Sequence, residues 1–460
     1  MQWTLGQLAA WCGGELKEEY AELAVTSVIT DSRKIQPGCL FVALKGEKFD
    51  GHDYVEDAMA MGAAAVLVSR PVREGIPAVL VADTLRAFGS MAAGYRQMCD
   101  VQVVGVTGSV GKTTTKEMIA AILQTTFRTA KTEGNHNNNI GLPMTVLDMP
   151  EDTQTAVLEM GMNHFGEMAY LASIAKPDVA VITNIGTMHI EYLGSREGIL
   201  KAKMEIMQGM RKKGVAVFNG DEPLLWNMRE YEGHKKYYYG VENPLCDLLA
   251  ENIEQMDGGM SFRVRGMGHN FEMFIPMEGM HVVYDAMAAI LVGLLYDVKA
   301  EKMQYALGHF QNTGMRQRVF EENGMTIIED CYNAGPESMA AALTVLGDRP
   351  ATGRRIAVLG DMLELGTRSQ AEHYRIGRLA VSKADIIYAY GTYSDRTITG
   401  AITGGMDPQS CVHFTTHEAM AFKLAAVAKP GDVLLFKGSR GMKMEHVLKL
   451  FLDRTKPENK

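Results

Sequence analysis

The stretch Gln102-Val103-Val104-Gly105-Val106-Thr107-Gly108-Ser109-Val110-Gly111-Lys112-Thr113-Thr114-Thr115-Lys116-Glu117-Met118 decides the fold. A β-branched run over 101–106 predicts a buried strand, and 116–124 predicts a helix. Between them, a glycine-bearing turn can wrap a phosphate with its backbone N–H groups at a helix N-terminus. Lys112 adds a positive charge for the β- and γ-phosphates, and Thr113 a hydroxyl for Mg²⁺. The strict spacing of such loops places glycine at 106; here Val106 stands there, and Gly105 comes one place early. Strand, Gly-Lys-Thr-Thr and helix keep their order, which predicts a nucleoside triphosphate site.

Composition bounds what surrounds that loop. A chain of 460 residues predicts two to four domains, and 47% hydrophobic against 22% charged residues is the balance of a globular protein. The net charge of −9 argues against a general nucleic-acid binder, which needs concentrated Lys and Arg. Cys12, Cys39, Cys99, Cys246, Cys331 and Cys411 are scattered without a CxxC pair, as expected of reduced thiols in a cytoplasm. The longest apolar run, 286–296, is too short to cross a bilayer, so no membrane insertion is expected.

Strands and helices alternate along the chain, predicting an α/β protein of three domains. In the first, 1–84, strands are expected at 26–30, 40–44, 65–68 and 79–81, with Asp31-Ser32-Arg33 and Asp50-Gly51-His52 at strand ends. Asp31-Ser32-Arg33 reads either as a capped turn or as a ligand contact. A helix over 84–98 leads into the phosphate-loop strand, which opens a central domain, 85–313, with a parallel sheet. Its strands at 155–158, 178–183 and 215–218 end in Glu159, in a turn running to His189, and in Asn219. Ligands of such sheets lie beyond the carboxyl ends of the strands, which puts Glu159 and His189 on the rim of the phosphate loop as candidate metal ligands. The 195–213 segment predicts one helix carrying Lys201, Lys203, Lys212 and Lys213, by itself an ordinary solvated face. Residues 245–276 predict appended antiparallel strands, and 281–295 an apolar helix. The third domain, 314–460, reads as a Rossmann-like αβα layer with strands at 326–330, 354–359, 385–390 and 432–436, without the glycine pattern for a dinucleotide. Its strand ends are expected to gather Arg440, Lys437 and the turn of Asp361 and Glu364.

These motifs, in this order, resemble the Mur ligases, the ATP-dependent amide-forming enzymes of bacterial peptidoglycan synthesis. The match runs from Asp31-Ser32-Arg33 through Thr107-Gly108-Ser109, Gly111-Lys112-Thr113-Thr114, Glu159-Met160-Gly161, Asn184-Ile185-Gly186 with His189, and Ala202-Lys203. It continues with Asp330, Tyr332-Asn333-Ala334, Gly360-Asp361-Met362 with Glu364-Leu365-Gly366, and Lys437-Gly438-Ser439-Arg440. Gly105 is where that pattern has it. The Tyr-Asn-Ala stretch and the Gly-Asp-Met turn point to the branch that joins D-Ala-D-Ala to UDP-N-acetylmuramoyl-tripeptide.

The resemblance implies a cytoplasmic monomer with small-molecule substrates. Its first domain would hold the UDP end through Ser32 and Arg33. The central domain would bind ATP through Thr107, Gly108, Ser109, Val110, Gly111, Lys112, Thr113 and Thr114. Two Mg²⁺ ions would involve Thr113, Glu159, His189 and Lys203, the last carried as a carbamate. Arg316 would approach the γ-phosphate and Asp330 the ATP ribose, while Asn333, Asp361 and Arg440 would face the dipeptide. Lys112, Glu159, His189, Lys203 and Arg316 would be catalytic, and the three domains would stand wide open before substrates bind. Three departures stand out: Gly335 for a second asparagine, His281-Val282-Val283-Tyr284-Asp285-Ala286 without the two asparagines of that helix, and Glu329-Asp330 for a pair of aspartates.

Overall fold

The Gln102–Thr107 strand lies third from one edge of a nine-stranded sheet in the computed structural model of the chain, which describes residues 3–312 and 314–455. The boundary expected at 313 and the last residues of the tail fall outside the described residues. From the near edge the sheet runs Thr129–Lys131, Thr155–Glu159, Gln102–Thr107, Val179–Ile182, Val215–Asn219 and Lys235–Gly240, all parallel. Leu248–Met256 pairs parallel with Lys235–Gly240, and Gly259–Gly266 and His269–Ile275 then close the sheet antiparallel, as the alternating 245–276 segment predicts. The central strands are apolar and buried on both faces because helices cover both, which is why they read as continuous hydrophobic runs.

Before this sheet, Val28–Ile29, Leu40–Val42, Ala65–Val68 and Ala78–Leu80 form a four-stranded parallel sheet. After it, Met325–Asp330, Val433–Lys437, Arg355–Gly360, Ile386–Tyr390 and Cys411–Phe414 pair in parallel, with Arg318–Glu322 antiparallel on the outer edge. The α/β class and these three main sheets are therefore as expected; a two-stranded antiparallel pair, Trp3–Thr4 with Ala24–Val25, is added at the start of the chain.

The cores divide unequally. One continuous core joins the inner face of the first sheet (Leu40, Val42, Leu67), the Thr84–Met98 helix (Phe88, Met91) and one face of the nine-stranded sheet (Val103, Leu158, Ile182). The six-stranded sheet has its own cores on its two faces, around Leu343 and Leu435 on one and Phe436 and Phe451 on the other.

Local differences from the sequence reading have physical causes. The 195–213 segment is two helices, Arg196–Met204 and Ile206–Gly209, meeting at Glu205, whose carboxylate accepts the amides of Gly166 and Ala169. Six strands escape sequence detection: Trp3–Thr4, Ala24–Val25, Thr129–Lys131, Lys235–Gly240, Arg318–Glu322 and Cys411–Phe414. All but Lys235–Gly240 lie at sheet edges, where one face stays partly wet and the apolar run is broken. The wide-open arrangement is not the one observed. The third domain is docked on the central one through Thr187 Oγ1 to Glu337 Oε1 (3.0 Å), Arg349 to Glu278 (3.1 Å), and His189 Nδ1 with Glu364 Oε2 (2.5 Å). Among the described residues no helix is long and apolar enough to cross a membrane.

Candidate active site

The phosphate loop is shaped by Gly111 and Asn184. Gly111 has φ +84°, in the left-handed region, and a Cβ there would meet Asp285 Oδ1 at 2.2 Å. Asn184 Oδ1 accepts the amides of Ser109 (3.0 Å) and Val110 (2.9 Å), so the loop's first amides are already engaged. The helix Lys112–Gln124 begins directly behind, and the amides of its first turn have no partner within the helix, which leaves them for an anion. Lys112 Nζ lies folded over the loop, donating to Gly108 O (2.8 Å) and Ser109 O (3.2 Å). Burial lowers its amine from the ordinary range; the Glu159 charge opposes this and Arg316 adds to it.

The hydroxyl of Thr113 donates to Glu159 Oε2 at 2.7 Å, and Asn137 Nδ2 donates to Glu159 Oε1 at 2.8 Å. Glu159 is 1% exposed, at the end of its strand. Behind it, fully buried Lys116 donates to Thr132 O at 2.6 Å, pairs with Glu117 at 2.9 Å and stands 4.0 Å from Glu159 Oε2. A buried cation thus supports a buried carboxylate that would otherwise be costly to keep ionised. Asp285, on the helix Met280–Leu295, accepts the Thr115 hydroxyl at 3.0 Å, and burial pushes its carboxyl up to about 8 against that hydrogen bond. The asparagine-to-aspartate departure therefore places a carboxyl against the phosphate loop.

Across from the loop, the third domain contributes Arg316, whose guanidinium stacks on the Tyr332 ring at 3.7 Å. Asp330 Oδ2 pairs with Lys437 Nζ at 2.5 Å, and the same amine donates to Asn333 O at 3.1 Å. Both domains wall a cavity of about 850 Å³, large enough for a nucleotide and part of a second substrate.

Of the residues singled out from sequence, Ser109, Val110, Gly111, Lys112, Thr113, Thr114, Glu159, His189, Arg316, Asp330 and Asn333 line that cavity. Seven do not. Thr107 and Gly108 sit behind the loop, Gly108 against Thr183. Lys203, expected at a metal, is 2% exposed and does not reach the cavity wall; burial, with a smaller push from Lys112, holds its amine well below the ordinary range. Ser32 and Arg33 lie on the first sheet's rim, with Arg33 held by Asp31 at 2.8 Å and otherwise exposed. Asp361, expected to face the dipeptide, is buried: Oδ2 accepts Tyr393 N at 2.9 Å, so it holds the turn that follows the neighbouring strand Ile386–Tyr390. Arg440 is exposed and pairs with Glu445 at 2.9 Å. Sequence reasoning missed Lys116 as a support of Glu159, for it looked like an ordinary first-turn lysine. Tyr332 gains its role only through the stacked Arg316, which no motif links to it.

Among the described residues no three His, Cys, Asp or Glu side chains group around one metal position. The fit of Mg²⁺ therefore rests on oxygen donors: the Thr113 hydroxyl and the Glu159 carboxylate, side by side at the phosphate loop. One carboxylate, one hydroxyl and substrate phosphates are what Mg²⁺ takes in nucleotide sites. Burial that lowers the Lys203 amine well below its ordinary range favours the uncharged form, which addition of CO₂ requires.

Comparison with known proteins accounts for nearly the whole chain. Residues 24–96 match the Mur ligase family catalytic domain, 106–293 the Mur ligase middle domain, and 315–440 the Mur ligase glutamate ligase domain. The chain is 42% identical over 452 residues to the UDP-N-acetylmuramoyl-tripeptide–D-alanyl-D-alanine ligase of Bacillus subtilis strain 168, covering 97% of each. Among solved structures it is similar to crystal structure I of MurF from Acinetobacter baumannii, with TM-score 0.91, 34% identity, and 98% and 99% of the two chains covered. It is also similar to MurF ligase from Thermotoga maritima in complex with ADP, with TM-score 0.84, 29% identity, and 94% and 98% covered.

Proposed function

Because the chain belongs to the Mur ligase family, we propose that its cavity performs the reaction for which its relatives are named. It is an ATP-dependent ligase that joins D-alanyl-D-alanine to UDP-N-acetylmuramoyl-tripeptide in peptidoglycan synthesis, releasing ADP and phosphate. The observation that carries its mechanism is the opposition of Lys112, Thr113 and Glu159 on one wall to Arg316 and Asp330 on the other.

In the first step the tripeptide's terminal carboxylate attacks the ATP γ-phosphorus. An O–P bond forms, the bond to ADP breaks, and the product is an acyl phosphate. Two anions must meet, so cationic groups around the transferred phosphoryl group supply the electrostatic stabilisation. The free amides at the start of the Lys112–Gln124 helix hold the phosphates, and Lys112 turns from the loop carbonyls towards them. Arg316, braced on Tyr332, approaches from the opposite side. Asp330 accepts from the ribose. Thr113 and Glu159 would hold one Mg²⁺, and His189 with a carbamylated Lys203 would serve a second; the bound ions would supply charge neutralisation at the phosphates.

In the second step the neutral amine of the dipeptide attacks the acyl carbon, phosphate leaves, and the amine's proton is lost. Asn333, in the cavity wall, is the third-domain residue best placed to receive the dipeptide. Asp361 and Arg440 shape the loops behind it. The docked third domain excludes water, which would otherwise hydrolyse the acyl phosphate. Ser32 and Arg33, on the exposed rim of domain 1–84, receive the UDP end.

Phosphate release measured with UDP-N-acetylmuramoyl-tripeptide, ATP and Mg²⁺, with and without D-Ala-D-Ala, tests the assignment. Dipeptide-dependent release is expected. Folded protein showing none overturns it.

A further inference from the structure

His189 and Glu364 come from different domains, and both hold left-handed backbones, with φ of +64° and +62°. Such conformations are uncommon for residues other than glycine, so the surrounding chain must impose them. Each places a side chain outward at the domain junction, where His189 Nδ1 and Glu364 Oε2 lie 2.5 Å apart. Nearby, the His189 turn makes two more contacts with the third domain: Thr187 Oγ1 to Glu337 Oε1 at 3.0 Å, and Glu191 against Gly366.

The Glu364 turn is fixed to the third domain rather than loose. Met362 N donates to His373 Nε2 (2.9 Å), and Leu363 N to Ser439 Oγ (2.9 Å). Ser439 Oγ in turn donates to Ala334 O (2.9 Å), next to Asn333 in the cavity wall. Glu364 therefore moves with the residues that line the cavity from the third domain.

An imidazole that gives one ring N–H to a carboxylate is left with its other nitrogen unprotonated and oriented, the state in which histidine binds metals. We propose that Glu364 is a positioning residue that fixes the tautomer and direction of His189, so that His189 becomes a competent metal ligand only when the third domain is docked. Metal binding and domain docking are then one event: the ion is held at full strength only once the dipeptide-bearing domain has arrived. This rests on the reading of His189 as a metal ligand.

Mn²⁺ titration followed by electron paramagnetic resonance, with ADP present, measures metal binding without turnover. Glu364→Ala should weaken the His189-dependent site about tenfold, within the range typical of such outer partners. Glu364→Gln, whose amide oxygen still accepts from Nδ1–H, should restore most of that affinity. In a His189→Ala background, Glu364→Ala should add nothing. Unchanged Mn²⁺ affinity in Glu364→Ala, alongside a loss in His189→Ala, overturns the positioning role. Unchanged affinity in His189→Ala removes instead the assignment of His189 to the metal.

Discussion

Thr115 Oγ1 donates to Asp285 Oδ1 across 3.0 Å, and the same carboxyl presses against Gly111 of the phosphate loop. With its pKa pushed up to about 8, Asp285 keeps a proton in the folded chain that the unfolded chain has released above the ordinary carboxylate range. Stability should therefore fall as the pH rises from about 4 towards 8, where the folded-state pKa lies. Asp285→Asn removes that loss. Its stability should match that of the parent near pH 4 and exceed it increasingly towards pH 8, by on the order of 4 kcal/mol at neutral pH, with the melting temperature following. Melting curves across that range check it; a pH-independent difference would sink the idea.

Gly111→Ala should weaken nucleotide binding while leaving the fold intact. The site needs φ +84°, and the new methyl group would stand 2.2 Å from Asp285 Oδ1. Backbone strain of about 1–3 kcal/mol would displace the loop before the helix. Calorimetric titration with ADP should show at least a tenfold loss, with the circular dichroism spectrum unchanged.

Lys203→Ala should lower ligase activity about 100-fold, the upper range for removing a group that supports a metal. Short carboxylates added to the assay should restore part of it by standing in for the carbamate. Incubating the parent protein with ¹³C-bicarbonate should give a carbamate resonance absent from the variant. Full activity in Lys203→Ala would exclude the modification.

Arg33→Ala should raise KM for the UDP substrate about tenfold with kcat little changed, because a charge-assisted contact far from the reacting carboxylate contributes equally to ground and transition states. Steady-state kinetics on the purified variant separate the two constants. A fall in kcat at unchanged KM would mean that Arg33 acts elsewhere.

The phosphate loop was legible because its chemistry is local: Gly111, Lys112 and Thr113 do their work within one turn of chain. Strand-end positions placed Glu159 and His189 correctly on the cavity rim, since the carboxyl ends of parallel strands share one edge. What stayed hidden depends on distant partners. Lys116 becomes a support only once Thr132 and Glu159 fold around it, and Glu364 gains its role from a histidine on another domain. Asp361 looked like a ligand because it ends a strand, but the turn after the neighbouring strand Ile386–Tyr390 closes over its carboxyl. No spacing rule records which way such a turn closes.

The core shared by the first sheet and the nine-stranded sheet has a kinetic corollary. Two domains that bury one apolar cluster behave as a single anvil, so the sites for the UDP precursor and ATP keep a fixed separation through the cycle. The third domain, with cores of its own, is the hammer. Loading should then be ordered: nucleotide and precursor first onto the immobile half, dipeptide last with the stroke that closes it.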